Sequence, residues 1–126
     1  MKMHINKIVI AAVALLISSQ VAAQNPKGFQ VKTTANLVQL CSASVNDPAY
    51  NEAMGFCFGY MDAAMHYHQA LVAGKNKNPI ACPHAKVTRK QLAGVLVEWS
   101  KHNEQYLYNE TPVHGVMRAA AEKWPC

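Results

Sequence analysis

Residues 47–74, DPAYNEAMGFCFGYMDAAMHYHQALVAG, contain the longest helical pattern in the chain. Asp47 and Pro48 form a start signal, because aspartate is a preferred N-cap residue and proline is favoured at the first helical position. Gly74 is a preferred residue just after a helix end. The stretch therefore predicts a helix that runs to Ala73, around which the rest of the fold has to pack.

At 3.6 residues per turn, the side chains of this helix separate into two faces. The apolar face predicts the buried side, and its members are Tyr50, Met54, Cys57, Phe58, Met61, Met65, His68 and Val72. The opposite face carries a small-residue strip, Gly55, Gly59 and Ala63, among polar side chains. Because glycine inside a helix costs about 1 kcal/mol relative to alanine, the strip indicates close approach of another backbone. We favour packing against a later helix of the same chain, and contact with a partner is the alternative.

Capping residues indicate three more helices. Thr88 and Gln91 form a capping box, and Pro112 follows a threonine at a first helical position. The predicted helices run from Thr33 or Thr34 to near Ser44, from Thr88 to about Glu104, and from Thr111 to Trp124. The sequence therefore predicts a small all-α bundle of about four helices.

The N-terminus has the pattern of a secretory signal peptide. Lys2 and Lys7 precede or flank an apolar run at residues 8–17, and Val21, Ala22 and Ala23 form a small-residue cleavage site. A bilayer span needs roughly 20 apolar residues, so an uncleaved anchor is the less favoured alternative. We predict a signal peptide at residues 1–23 and a single exported domain at residues 24–126, located in the periplasm and not in the membrane.

Four cysteines, Cys41, Cys57, Cys82 and Cys126, remain after this cleavage. In an oxidising compartment they are expected to form two disulfides, since their spacing fits neither a zinc site nor a CxxC redox centre. Loss of the two lysines of the signal peptide lowers the formal net charge from +5 to +3. This mild charge and the export signal argue against a nucleic-acid partner.

Three patterns could carry chemistry, and each has a simpler explanation. Cys82 and His84 could form a nucleophile pair, but a disulfide would remove the thiol. Met61, Met65 and His68 are soft ligands that suit Cu(I), yet they lie on the predicted core face, where methionine fills gaps. We therefore expect a non-catalytic protein without a metal or cofactor. A basic cluster around the loop before the third helix predicts either a solvated loop or a dock for an acidic partner; it comprises Lys75, Lys77, Lys86, Arg89 and Lys90.

Three segments in this order resemble the Rap/Tai family of type VI secretion immunity proteins. They are Phe56-Cys57-Phe58-Gly59-Tyr60, then Cys82 followed by Val87-Thr88-Arg89-Lys90-Gln91-Leu92, and finally Trp124-Pro125-Cys126. The resemblance covers nearly all of residues 24–126. It implies a small all-α periplasmic domain, often a homodimer, that binds and blocks a peptidoglycan amidase toxin.

On this scaffold we expect Cys126 to pair with Cys82, which fixes the C-terminus, and Cys41 to pair with Cys57. The second pair requires an oblique crossing of the first two helices, because Cys57 lies well inside its helix.

Two surfaces are candidates for the partner contact. One is the small-residue strip, and the other is the connector, residues 102–111, which carries Tyr106 and Tyr108. Exposed tyrosines are frequent hot spots, so we favour the connector, although both rings could instead fold back onto Trp99. A small disulfide-bonded acid-stress chaperone is the alternative function, but its pH-triggered opening needs many titratable groups, and the chain has seven acidic residues.

The signal peptide gives the first testable prediction. Protein recovered from the periplasm should begin at or near Gln24, because signal peptidase cuts after the small residues at positions 21–23. Intact-mass analysis checks the new N-terminus, and a reduced sample serves as its control by showing a gain of about four hydrogens for two disulfides. Periplasmic protein that retains Met1 would contradict the prediction.

Overall fold

The computed structural model describes residues 30–74 and 78–126, so the predicted signal peptide lies outside the described residues. Within these ranges the chain forms five α-helices and no strand: α1 Thr34–Cys41, α2 Tyr50–Val72, α3 Arg89–Ser100, α4 Glu104–Leu107 and α5 Pro112–Lys123. The all-α prediction is confirmed. The extra element, α4, is one turn of four residues inside the connector.

Helix α1 begins with a capping box. The Thr33 hydroxyl accepts from the Asn36 amide, and the Asn36 side-chain oxygen accepts from the Thr33 amide at 3.1 Å. This exchange satisfies donors that a helix start leaves unpaired. The helix ends at Cys41, three residues before the predicted end at Ser44.

Helix α2 begins later than the start signal predicts. The Asp47 carboxylate accepts from the Ala49 amide at 2.8 Å, and the Asp47 carbonyl accepts from the Tyr50 amide at 3.0 Å. Residues 47–49 therefore form a single turn, and the N-cap position falls on Ala49, which has no capping side chain. The prediction that Asp47 caps the helix is wrong, because its carboxylate closes the turn before it.

Helix α3 has the predicted capping box, with Thr88 and Gln91 bonded to each other's backbone amides. It ends at Ser100, so the predicted end near Glu104 is wrong. The side-chain amide of Asn103 donates to the Trp99 carbonyl at 2.9 Å. That carbonyl is the acceptor that the Asn103 backbone amide would need to continue the helix, so the chain turns away at this point.

The core lies where α1, α2, α3 and α5 meet. The predicted apolar face of α2 supplies Cys57 and Met61, both fully buried, and Phe58 and Met65 pack against them. The other helices add further buried apolar side chains, among them Leu37, Leu96 and Val116. None of the helices in the described ranges is long and apolar enough to cross a membrane.

Two disulfides cross-link the domain, and they confirm both predicted pairs. Cys41 at the end of α1 bonds to Cys57 in α2, with 5.2 Å between Cα atoms, and Cys82 bonds to Cys126, with 4.9 Å between Cα atoms. The Cys82 amide also donates to the Trp124 carbonyl at 2.8 Å. The C-terminus is therefore fixed to the loop before α3 by a covalent bond and a backbone hydrogen bond.

Thr34 is a fully buried polar residue at the start of α1. Its amide donates to the Glu110 carbonyl at 2.9 Å, and its hydroxyl donates to the Thr111 carbonyl at 3.1 Å. On α5, Gly115 lies directly against the threonine side chain: a Cβ at Gly115 would be 2.6 Å from Oγ1 and closer still to Cγ2. The glycine is required here for close packing, since no side chain fits.

We predict that Gly115→Ala destabilises the protein by about 1–3 kcal/mol, because overpacking forces the buried threonine to move. Gly94→Ala in α3 is the matched control, since nothing among the described residues lies within 4 Å of its added Cβ. Gly94→Ala should instead raise the free energy of unfolding by up to about 1 kcal/mol, because alanine has a higher helix propensity than glycine. Urea unfolding measures both changes, and equal stability of the two variants would contradict the tight contact at Thr34.

Candidate functional site

The connector, residues 102–111, leaves α3 and returns to α5, and both of its ends are fixed. At the first end, Asn103 bonds to the Trp99 carbonyl of α3. At the second end, the carbonyls of Glu110 and Thr111 accept hydrogen bonds from the buried Thr34 of α1. The connector is therefore tied to two helices that belong to the core.

An ion pair adds a further link between the connector and α5. It lies at the bend of the connector, formed by residues 104–110. The Arg118 guanidinium of α5 donates to both oxygens of Glu110, each at 2.7 Å. Such two-point pairs fix orientation as well as distance. These hydrogen bonds and the positive charge of Arg118 lower the pKa of the Glu110 carboxyl, so the pair is charged at neutral pH.

Tyr106 lies within the bend and does not project from it. Its ring stacks on Trp99, with 6.0 Å between centroids and 15° between planes, and the Arg118 guanidinium carbon lies 4.2 Å from the centre of the Tyr106 ring. The indole N–H of Trp99 in turn donates to Glu122 at 3.0 Å. Tyr106 is half-buried, so the alternative that its ring folds back onto Trp99 is confirmed for this tyrosine and the expectation of an exposed ring is wrong, while its role in partner binding stays a prediction.

Tyr108 is the aromatic residue that the connector presents to solvent. It follows α4, and 67% of its surface is exposed. The neighbouring Leu107 packs against the core, so the backbone at Tyr108 is held in place. The sequence gives no basis for distinguishing the two tyrosines, but their environments differ. Tyr106 supports the bend, and Tyr108 projects from it.

The small-residue strip on α2 also differs from the favoured expectation. Gly55, Gly59 and Ala63 are exposed, and no described atom outside the local helix lies within 4 Å of a Cβ built at either glycine. The prediction that this strip packs against a later helix is therefore wrong for the described residues. Tyr67 and Leu71, further along the outer side of α2, are 61% and 44% exposed.

Bonding and burial account for the two other patterns, the Cys82–His84 pair and the possible Cu(I) ligands of α2. The Cys82 sulfur lies in a disulfide, so it is no thiolate beside His84. Met61 is buried in the core, and the Nε2 atom of His68 accepts a hydrogen bond from the Ile80 amide at 3.0 Å. In residues 30–74 and 78–126, no group of three or more His, Cys, Asp or Glu side chains could hold a metal ion.

The basic cluster lies partly outside the described residues, since Lys75 and Lys77 are not among them. Lys86, Arg89 and Lys90 are exposed. Arg89 pairs with Asp62 of α2 at 3.1 Å, which connects the start of α3 to α2.

The sequence did not identify three residues that hold the connector in place: Thr34, Glu110 and Arg118. Thr34 appears in the sequence only as a possible helix cap. Glu110 and Arg118 are eight residues apart and on different elements, so neither the i,i+3 nor the i,i+4 rule pairs them.

A family model described as Rap1a immunity proteins matches residues 33–126. Comparisons with curated proteins and with solved structures give no match. The matched range begins at the N-cap of α1 and ends at Cys126, so it contains all five helices, both disulfides and the whole connector.

The Glu110–Arg118 pair predicts a specific pH dependence. Because the folded pKa of Glu110 lies below its ordinary value, its stabilising effect is complete at neutral pH and is lost as the pH falls through the lowered pKa. Glu110→Gln should therefore show a smaller drop in melting temperature between pH 7 and about pH 3 than the parent protein.

Glu98→Gln is the control for this experiment. The pKa of Glu98 is also lowered, by the hydrogen bond and positive charge of Lys101, which follows α3, and its other partner is His102 at 4.0 Å, so this variant loses a comparable surface pair outside residues 104–110. Amide hydrogen exchange of residues 104–110 should accelerate in Glu110→Gln and stay unchanged in Glu98→Gln. Equal exchange in both variants would show that the ion pair does not order the connector.

Proposed function

We propose, for a chain that belongs to the Rap1a immunity protein family, that it binds a secreted effector toxin and blocks its activity. The match over residues 33–126 is the observation that carries this proposal, because it includes every described helix. We further propose that the binding takes place in the periplasm. The predicted signal peptide and the pairing of all four cysteines support this location.

The target that we propose is a peptidoglycan amidase delivered by type VI secretion. This part rests on the sequence resemblance, in which three ordered segments resemble immunity proteins of that kind. An amidase works from a cleft, and a binder can block a cleft by inserting a projecting group without chemistry of its own. The protein needs no catalytic residues for such a role.

The connector is suited to this contact because its shape is fixed before binding. Hydrogen bonds from Thr34 and Asn103 hold its ends, and the Glu110–Arg118 pair holds its bend. A surface that is already ordered loses less conformational entropy when the complex forms. Tyr108 is the exposed aromatic side chain on this support, and tyrosine is frequent among hot-spot residues.

The small-residue strip is the contact that we propose for a homodimer. Open space above Gly55 and Gly59 lets a second backbone approach α2 closely. In a two-fold dimer the same strip would contribute from both copies. This leaves the connector of each copy free to reach a toxin.

The toxin-binding proposal is tested with the effector encoded beside the gene. Tyr108→Ala should weaken the complex by about 30-fold, the effect of losing one hot spot of about 2 kcal/mol, and should restore amidase activity at matched concentrations. Tyr67→Ala is the control, because Tyr67 is comparably exposed but lies on α2. It should leave toxin affinity unchanged.

The possible failures of this experiment are distinct. If the protein binds neither the neighbouring effector nor a related cell-wall amidase, the immunity proposal is wrong. If it binds tightly and Tyr108→Ala has no effect, the immunity proposal holds and the choice of the connector is wrong.

A further inference from the structure

A cavity lies between α2 and α5, and no residue of the connector lines it. It is bounded by the C-terminal half of α2, the loop at residues 81–88 and the C-terminal end of α5, and its volume is about 530 Å³. Cavities of small-molecule sites typically measure about 300–1,000 Å³. We call it the α2–α5 cleft.

The floor of the α2–α5 cleft is apolar. Leu92 of α3 and Val116 of α5 lie at its base, where they are 3% and 0% exposed, and Met65, Met117 and Trp124 form the sides. Methionine side chains are flexible and polarizable, so they adapt to ligands of different shape. This surface favours an acyl chain or a ring.

The rim of the cleft carries two cations and one anion. Arg89 and Lys86 line it together with Asp62 and His66 of α2, so positive charge is in excess by one when histidine is neutral. Arg89 is held in place by its ion pair with Asp62 at 3.1 Å and by the Phe58 ring, whose centre lies 5.4 Å from the guanidinium carbon. The ion pair uses the Nη1 atom of Arg89, whereas a guanidinium carries five N–H donors in a geometry that matches a carboxylate.

The walls of the cleft are fixed by the C-terminal disulfide. Cys82 is part of the rim loop, and its bonds to Cys126 and to the Trp124 carbonyl hold that loop against the end of α5. The cleft therefore exists before any ligand binds, as in most small-molecule sites.

We propose that the α2–α5 cleft binds a small amphipathic carboxylate. The apolar body of the ligand lies on Leu92, Val116 and Met117, and its carboxylate pairs with Arg89 and Lys86. No residue of the connector or of the small-residue strip lines this site, so the inference goes beyond toxin binding. A recessed apolar floor with a rim of net positive charge fits a slender anion better than a flat protein surface.

The test titrates the purified exported protein with octanoate and, as the matched neutral probe, with octan-1-ol. Octanoate should bind saturably, observed as a change in tryptophan fluorescence because Trp124 lines the cleft. Arg89→Gln should weaken octanoate binding about tenfold, the effect of one charge-assisted hydrogen-bonded pair, and leave octan-1-ol binding unchanged. Lys101→Gln, at an exposed position just after α3, removes an equal charge elsewhere and should have no effect.

Nuclear magnetic resonance adds a readout of position. Octanoate should shift the amide signals of His66, Met117 and Trp124 and leave those of the connector unchanged. Absence of saturable binding, equal binding by Arg89→Gln, or shifts confined to the connector would each overturn the proposal. The proposal is likewise overturned if octanoate does not bind but Arg89→Gln weakens the toxin complex, because the cleft would then be part of a protein interface.

Discussion

The hydrogen bonds of buried Thr34 are the constraint on which the rest of the structure depends. This residue at the start of α1 donates its amide to the Glu110 carbonyl and its hydroxyl to the Thr111 carbonyl, the last two carbonyls of the connector. Because Thr34 is fully buried, its amide and hydroxyl would be costly to leave unpaired, so these bonds hold the end of the connector against α1. The contact requires glycine at position 115, and it brings the first and last helices of the domain together.

The two disulfides act at other points of the same framework. One connects α1 to α2, and the other connects the C-terminus to the loop before α3. A cross-link of this kind stabilises a small domain by roughly 2–4 kcal/mol, a large share of a total of about 5–15 kcal/mol. With the helices held in this way, a connector with a single turn of helix keeps a defined shape.

Three outer surfaces of this framework differ in shape and in the groups that they expose. The connector presents one aromatic side chain on an ordered support, whereas the outer side of α2 presents backbone at two exposed glycines. The α2–α5 cleft is concave and combines an apolar floor with a rim of net positive charge. The three surfaces therefore suit different kinds of contact, which is why we propose a separate role for each.

The sequence by itself determined the helical class, the approximate helix ranges and the burial of one face of α2, because these follow from local capping and from periodicity within one element. The resemblance added the disulfide pairs. Only the tertiary structure decided the end of α3 at Ser100, the covering of Tyr106 and the exposure of the small-residue strip. Each depends on a contact between elements: Asn103 with the Trp99 carbonyl, Arg118 with the Tyr106 ring, and the absence of a described helix over Gly55 and Gly59. Periodicity shows which face of a helix differs from the other, but the packing partner of that face is set by the arrangement of all the helices.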